Sequence, residues 1–220
     1  MLSVIRFLIR LLLNLIARFE LRGKENVPPS GGMILAANHI GILDIVMVYY
    51  AIDRTDLFIP VGEKWGQKGW IRWLGKRLNF LFVDRFNPDL KALRKMIALM
   101  EAGKCLIIAP EGTRSRSGSL IEGKPGVAYL AARSGFPIIP VGITGTEDKT
   151  ILRNIKRFKK STVTLTGGKP FVIPPLPNKD RDAALRNATD EVMCRIAALL
   201  PETYRGIYKD HPRMKELLQN

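Results

Sequence analysis

The chain has 220 residues, 46% of them hydrophobic, with a mean hydropathy of +0.02. That suffices for one domain with a real core and excludes a disordered chain or a typical multi-span membrane protein. Lys and Arg number 35 against 20 Asp and Glu, a net charge of +15, which favours nucleic acid, an anionic membrane surface or phosphorylated substrates. The two histidines, His39 and His211, leave no histidine-based zinc cluster to build, and no metal is expected. Cys105 and Cys194 lack metal-ligand spacing and read as buried thiols of a reducing compartment.

The first segment, "MLSVIRFLIRLLLNLIARFELRGK", reads as an amphipathic helix over 1–24. Arg6, Arg10, Asn14, Arg18 and Arg22 recur every four residues and make a slanted polar seam, with Leu8, Leu12, Leu15, Ile16 and Phe19 opposite. Its arginines bar a spanning helix, and no small-residue cleavage site follows for a signal peptide. The expectation is a helix lying in one membrane interface, with an ordinary core-packing helix as the alternative.

From 25 to 220 short apolar runs alternate with helical periods. Strands are expected at 33–38, 56–62, 79–84, 104–110, 136–143 and 161–166. Helices are expected in "LDIVMVYYAI", in "KWGQKGWIRWLGKR", in "NPDLKALRKMIALMEAG" (capped by Asn87, with Pro88 in its first turn), in "GVAYLAARSG" and near the carboxyl end. This alternation predicts a single α/β domain with a largely parallel mixed sheet flanked by helices, behind the amino-terminal helix. In such sheets ligands bind beyond the carboxyl ends of strands.

Three strand exits are polar. After the first comes "NHIGILD". In a continuous helix His39 and Asp44 would point about 140° apart. If His39 lies in a loop eased by Gly41 and Asp44 opens the helix, the carboxylate can reach back, fix the imidazole tautomer and stabilise the imidazolium of a general base. The other reading is a strand-end histidine with Asp44 as a cap. After the fourth strand, "APEGTRS" offers a tight turn with Glu111 and Arg114, an arginine beside backbone donors that suits a phosphate. "FVDR" places Arg85 at a further exit, where pairing with Asp84 is the alternative. Lys104 could add to phosphate binding or be a solvated lysine.

Together "NHIGILD", "FVDR", "APEGTRS" and "IIPVGI" resemble the four ordered blocks of the glycerolipid acyltransferase family, over roughly 33–143. The resemblance implies His39 as general base, Asp44 as its orienting partner, and Arg85, Glu111, Gly112, Thr113 and Arg114 as the hold on a glycerol-phosphate acceptor. Pro140 falls in the fourth block, structural or related to the acyl chain. Ala109 stands where the family often has Phe, and Asn79-Phe80 where a glycine often begins the second block.

The implied activity is transfer of an acyl group from acyl-carrier protein or acyl-CoA to 1-acyl-glycerol-3-phosphate, with no further cofactor, at the cytoplasmic face of the cell membrane. Glycerol-3-phosphate or another lysophospholipid is the alternative acceptor. A basic nucleic-acid-binding protein and a non-catalytic membrane scaffold are the alternatives from other classes. No G-x-S-x-G elbow supplies a serine nucleophile. "GSLIEGKP" lacks the Ser/Thr of a phosphate-binding loop and reads as a basic loop over the acceptor site. Trp65, Trp70 and Trp73, interleaved with Lys64, Lys68, Arg72, Lys76 and Arg77, suit a membrane interface or, in part, the core. His211 reads as an exposed bystander.

Overall fold

The computed structural model describes residues 2–84 and 90–219. Helix α1 (Leu2–Ile16) leads into β1 (Ala17–Arg22), and β2 (Met33–Ala37) into α2 (Asp44–Ala51). Next come β3 (Leu57–Gly62), α3 (Glu63–Gly66), α4 (Gly69–Arg77) and β4 (Phe80–Val83). Then α5 (Leu90–Glu101), β5 (Cys105–Ile108), α6 (Gly126–Ser134) and β6 (Ile138–Thr144) follow. The chain ends with α7 (Asp148–Lys156), β7 (Ser161–Gly167), α8 (Arg181–Ala198) and α9 (Pro212–Leu217). Asn87 and Pro88, read as the start of α5, lie outside the described residues.

The strands form one sheet in the order β1-β7-β6-β2-β5-β3-β4. All neighbours are parallel except β6 and β7. Alternation along each strand builds a core on both faces. Ile34, Ala36, Phe58, Leu106 and Ile138 meet α6 and α8 through Leu130, Val192, Met193 and Ile196. On the other face Leu35, Ala37, Leu57, Ile107, Ile139 and Ile143 meet α2 and α1 through Met47, Val48 and Leu13. Cys105 and Cys194 are buried free thiols, Cys105 pushed up to about 12 by burial, so neither offers a ready thiolate.

The expected helix over 1–24 stops at Ile16. Ala17, Phe19 and Leu21 alternate with Arg18, Glu20 and Arg22, and this period of two pairs the segment along β7, Ala17 with Ser161 through Arg22 with Thr166. Arginines four apart suit a helix as well as a charged sheet edge, which is why the sequence reading ran on. Of the helix proper, Leu13 is buried, while Phe7, Leu8, Leu11, Leu12 and Leu15 are exposed.

At the amino-terminal edge of the sheet, Arg54 is 3% exposed. It donates to Asp56 and to the carbonyls of Pro28, Gly31 and Gly103, tying together the entries of β2, β3 and β5.

Candidate active site

Register brings three carboxyl-terminal exits side by side: Ala37 pairs with Val141, and Ala36 with Ile108. The chain past β2 is locked to β6 by Asn38, whose amide donates to the Ile143 carbonyl at 2.9 Å and accepts the Ile143 N–H at 2.7 Å. This two-way bond explains a buried asparagine at the end of an apolar strand.

His39 stands in the loop and Asp44 opens α2. Its Nδ1 lies 2.9 Å from Asp44 Oδ2, which also accepts the Ile40 and Gly41 N–H groups at 2.6 and 2.8 Å. Asp44 is 2% exposed and His39 15%, by side chain. A buried carboxylate held by two backbone donors is an acceptor, so Nδ1 carries the hydrogen and Nε2 is left as the basic nitrogen. The turn requires glycine at 41: a Cβ there would sit 1.9 Å from the Thr146 carbonyl oxygen. The contact that the acid-base reading requires is present, and Asp44 also accepts backbone N–H groups of the turn, as the capping reading requires.

Glu111 was expected on the acceptor. It is 1% exposed and both its oxygens are occupied, Oε1 by the His39 N–H at 2.8 Å and Oε2 by the Ile121 N–H at 3.1 Å. Burial pushes its carboxyl up to about 7, against the opposing pull of those two N–H bonds. It therefore braces the main chain of His39, with both oxygens turned to backbone N–H groups. The His39 carbonyl is fixed as well, accepting the Ser115 N–H at 2.7 Å.

Gly112 has φ +67, and a Cβ there would meet Lys124 Cδ at 2.9 Å; the lysine stem lies across the turn because no side chain is present. Thr113 and Arg114 are exposed on the same turn. Arg114 Nη1 donates to Asp148 Oδ2 at 2.5 Å, and Asp148 Oδ1 accepts the Ile42 N–H at 2.8 Å. One aspartate in the first turn of α7 thus ties the arginine to the turn that carries His39. Lys104, offered as a phosphate contact or a solvated lysine, precedes β5 and stands at the opposite edge of the sheet, beside Asp56, so the first of these does not hold. Arg85 lies outside the described residues.

Sequence reasoning missed Asp148, Lys124 and Ser115. For Asp148 the available signal was an acid opening a helix after a strand exit, the same pattern that exposed Asp44. Beside His39 and Asp44 lies a small apolar recess of about 10 Å³, room for about one water, whose walls include Ala37, Ile45, Val48, Ile107, Ala109 and Ile143. It joins an apolar lining to the base.

A model of the acyltransferase family matches residues 18–144. The chain belongs to that family. Within it, the chain is 26% identical to a 1-acyl-sn-glycerol-3-phosphate acyltransferase of Bacillus subtilis over 186 residues, 83% of this chain and 90% of that protein. It is 30% identical to an acyltransferase of the same name from Chlamydomonas reinhardtii over 172 residues, covering 74% of this chain and 49% of the relative. To the human alpha form it is 26% identical over 169 residues, 74% of this chain and 56% of that one. It thus spans most of the Bacillus relative and about half of these longer eukaryotic ones. The crystal structure of the 1-acyl-sn-glycerophosphate acyltransferase PlsC of Thermotoga maritima superposes with a TM-score of 0.66 at 26% identity, covering 87% of this chain and 76% of that one.

Proposed function

We propose that the chain transfers a fatty acyl group from an acyl thioester to the sn-2 hydroxyl of 1-acyl-glycerol-3-phosphate, forming phosphatidate for phospholipid synthesis. The observation that carries this reading is the 2.9 Å His39–Asp44 contact at a strand exit shared with Arg114. The relatives' names supply the substrate.

Nε2 of His39 takes the proton of the acceptor hydroxyl as its oxygen attacks the thioester carbonyl. The negative Asp44 stabilises the imidazolium so formed. Collapse of the tetrahedral intermediate breaks the carbon–sulfur bond, and the imidazolium returns its proton to the departing thiolate. No covalent acyl-enzyme is formed and the scheme uses no cofactor beyond the donor thioester, carried by acyl-carrier protein or CoA. Arg114 and Lys124 hold the phosphate, with Gly112 keeping the lysine stem close to the turn. The apolar residues around His39, Ala109 among them, face the start of the acyl chain.

The reading includes attachment at the cytoplasmic face of the membrane, and two features support contact with a membrane surface. On α1 the side chains of Phe7, Leu8, Leu11, Leu12 and Leu15 form an exposed apolar face. Trp70 and Trp73 are exposed on α4, and Arg77 stacks on the Trp73 ring at 3.9 Å. No helix among the described residues is long and apolar enough to cross a membrane, and the attachment proposed is peripheral or monotopic.

The deciding experiment is transfer of a radiolabelled acyl group by the purified full chain and by His39→Ala, offered lysophosphatidate, glycerol-3-phosphate and neutral lysolipids in turn. Loss of transfer in the variant and preference for lysophosphatidate are expected. Undiminished transfer by the variant would remove the mechanism, and preference for another acceptor would remove the substrate.

A further inference from the structure

Helix α7 buries one apolar side chain, Ile151, and exposes two others, Leu152 and Ile155. Beyond its end, Phe158 is 101% exposed. Lys149, Arg153, Lys156, Arg157, Lys159 and Lys160 surround these three, all exposed, and among the described residues none of the six makes an ion pair. The backbone singles out Phe158 as well. The Phe158 N–H donates to the Ile155 carbonyl and the Lys159 N–H to the Asn154 carbonyl, the pair of hydrogen bonds that closes a helix on a left-handed residue. Phe158 occupies that left-handed position with φ +52, where glycine is the usual residue. A bulky side chain therefore sits at a strained position yet touches nothing in its own fold, an arrangement that points to use outside the fold.

Topology fixes where this tip projects. Thr144, the last residue of β6, pairs with Thr164, so Ser161 and the turn before it extend past β6 at the edge that carries His39. The tip and the catalytic turn share that edge, and Asp148 at the other end of α7 holds Ile42. Helix α1, whose own apolar face is exposed, packs against α7.

We propose that the α7 tip, Leu152, Ile155 and Phe158 within their ring of cations, is a docking site for an anionic lipid bilayer, with the Phe158 ring inserted among the acyl chains. Unpaired cations around a protruding aromatic match an anionic headgroup layer over an apolar interior. An acidic protein would satisfy the cations but would leave a lone, solvent-directed phenyl ring without a reason. The proposal rests on the acyltransferase reading only in giving the docked surface a lipid substrate to deliver at the same edge.

The test uses the full chain and flotation with phosphatidylcholine vesicles, with and without phosphatidylglycerol. Phe158→Gly removes the ring and relieves the left-handed strain, so its melting temperature is expected to equal or exceed that of the wild type. Its affinity for anionic vesicles is expected to fall about tenfold, the loss of one buried phenyl ring. A second variant, with Lys156, Arg157, Lys159 and Lys160 all changed to Gln, is expected to bind both vesicle types alike and to lose salt sensitivity. Both variants keep wild-type transfer in detergent micelles. Undiminished flotation of Phe158→Gly would overturn the proposal. So would loss of acidic carrier-protein binding by the four-glutamine variant with vesicle binding unchanged. Failure of the wild type to transfer acyl groups in micelles would overturn the catalytic reading and leave the docking result standing.

Discussion

Asp44→Asn isolates what the buried charge does for the base. Two backbone N–H groups converge on Oδ2 at 2.6 and 2.8 Å. In the variant the amide must present its oxygen there, because its NH2 would meet two donors head-on. That oxygen still accepts from His39 Nδ1, so the tautomer survives and only the charge is lost. A unit charge about 4 Å from the imidazolium is worth ~4 kcal/mol at an effective dielectric near 20, an upper bound if the proton is fully transferred in the transition state. At about 1.4 kcal/mol per factor of ten, kcat should fall ~10²–10³-fold. KM for lysophosphatidate should stay within about threefold, since Asp44 is 2% exposed and reaches no substrate. Steady-state acyl transfer and a thermal melt of the same preparation measure both. A kcat within about fivefold of wild type, at unchanged folding, would refute an imidazolium stabilised by Asp44.

Three other variants probe the surroundings. With the Glu111 carboxyl raised from 4.5 to about 7, the folded chain retains between those values a proton that the unfolded chain has released. Stability therefore declines as pH rises across that window, by at most ~1.4 kcal/mol per pH unit. Glu111→Gln should remove this slope from urea midpoints measured against pH; an identical slope in the variant would show that another group causes it. Arg54→Met strands the Asp56 carboxylate and three carbonyls at the edge remote from His39, a change expected to cost ~3–5 kcal/mol in urea unfolding. Activity per folded molecule should be kept, and a stability loss under about 1 kcal/mol would contradict the role given to Arg54. Asp148→Ala frees both Arg114 and the Ile42 N–H, and should raise KM for lysophosphatidate about tenfold. Asp148→Asn, which keeps an acceptor for Ile42, should recover part of that loss; equal effects of the two would assign the whole change to the ion pair.

Most of the sheet was legible because buried parallel strands write themselves as short apolar runs bounded by turns. "MILAA" and "CLII" are such runs, and both form strands. The edge strand β1 was not legible, since a charged, half-exposed strand carries no apolar run and its arginines also fit a helix. At the site, the types and offset of His39 and Asp44 left their contact open; the motif resemblance favoured it, and the fold supplies the 2.9 Å approach. Lys104 offered itself as a phosphate contact by its charge alone, but the length of β5, four residues at about 3.3 Å each, separates the entry where it stands from the exit that carries Glu111. The role of Glu111 was illegible because its type suggests a substrate contact, and only the fold shows both oxygens taken by N–H groups 72 and 10 residues away.

That brace has a consequence for redesign. The N–H of His39 hangs on Glu111, which also holds Ile121, and its carbonyl hangs on Ser115. The loop 112–124, which carries the proposed acceptor contacts, is thus part of the mounting of His39, the proposed general base. Acceptor choice and proton transfer are mechanically joined, so grafting this loop from a relative should shift turnover along with selectivity unless Ser115 and the turn at Ile121 are carried over unchanged.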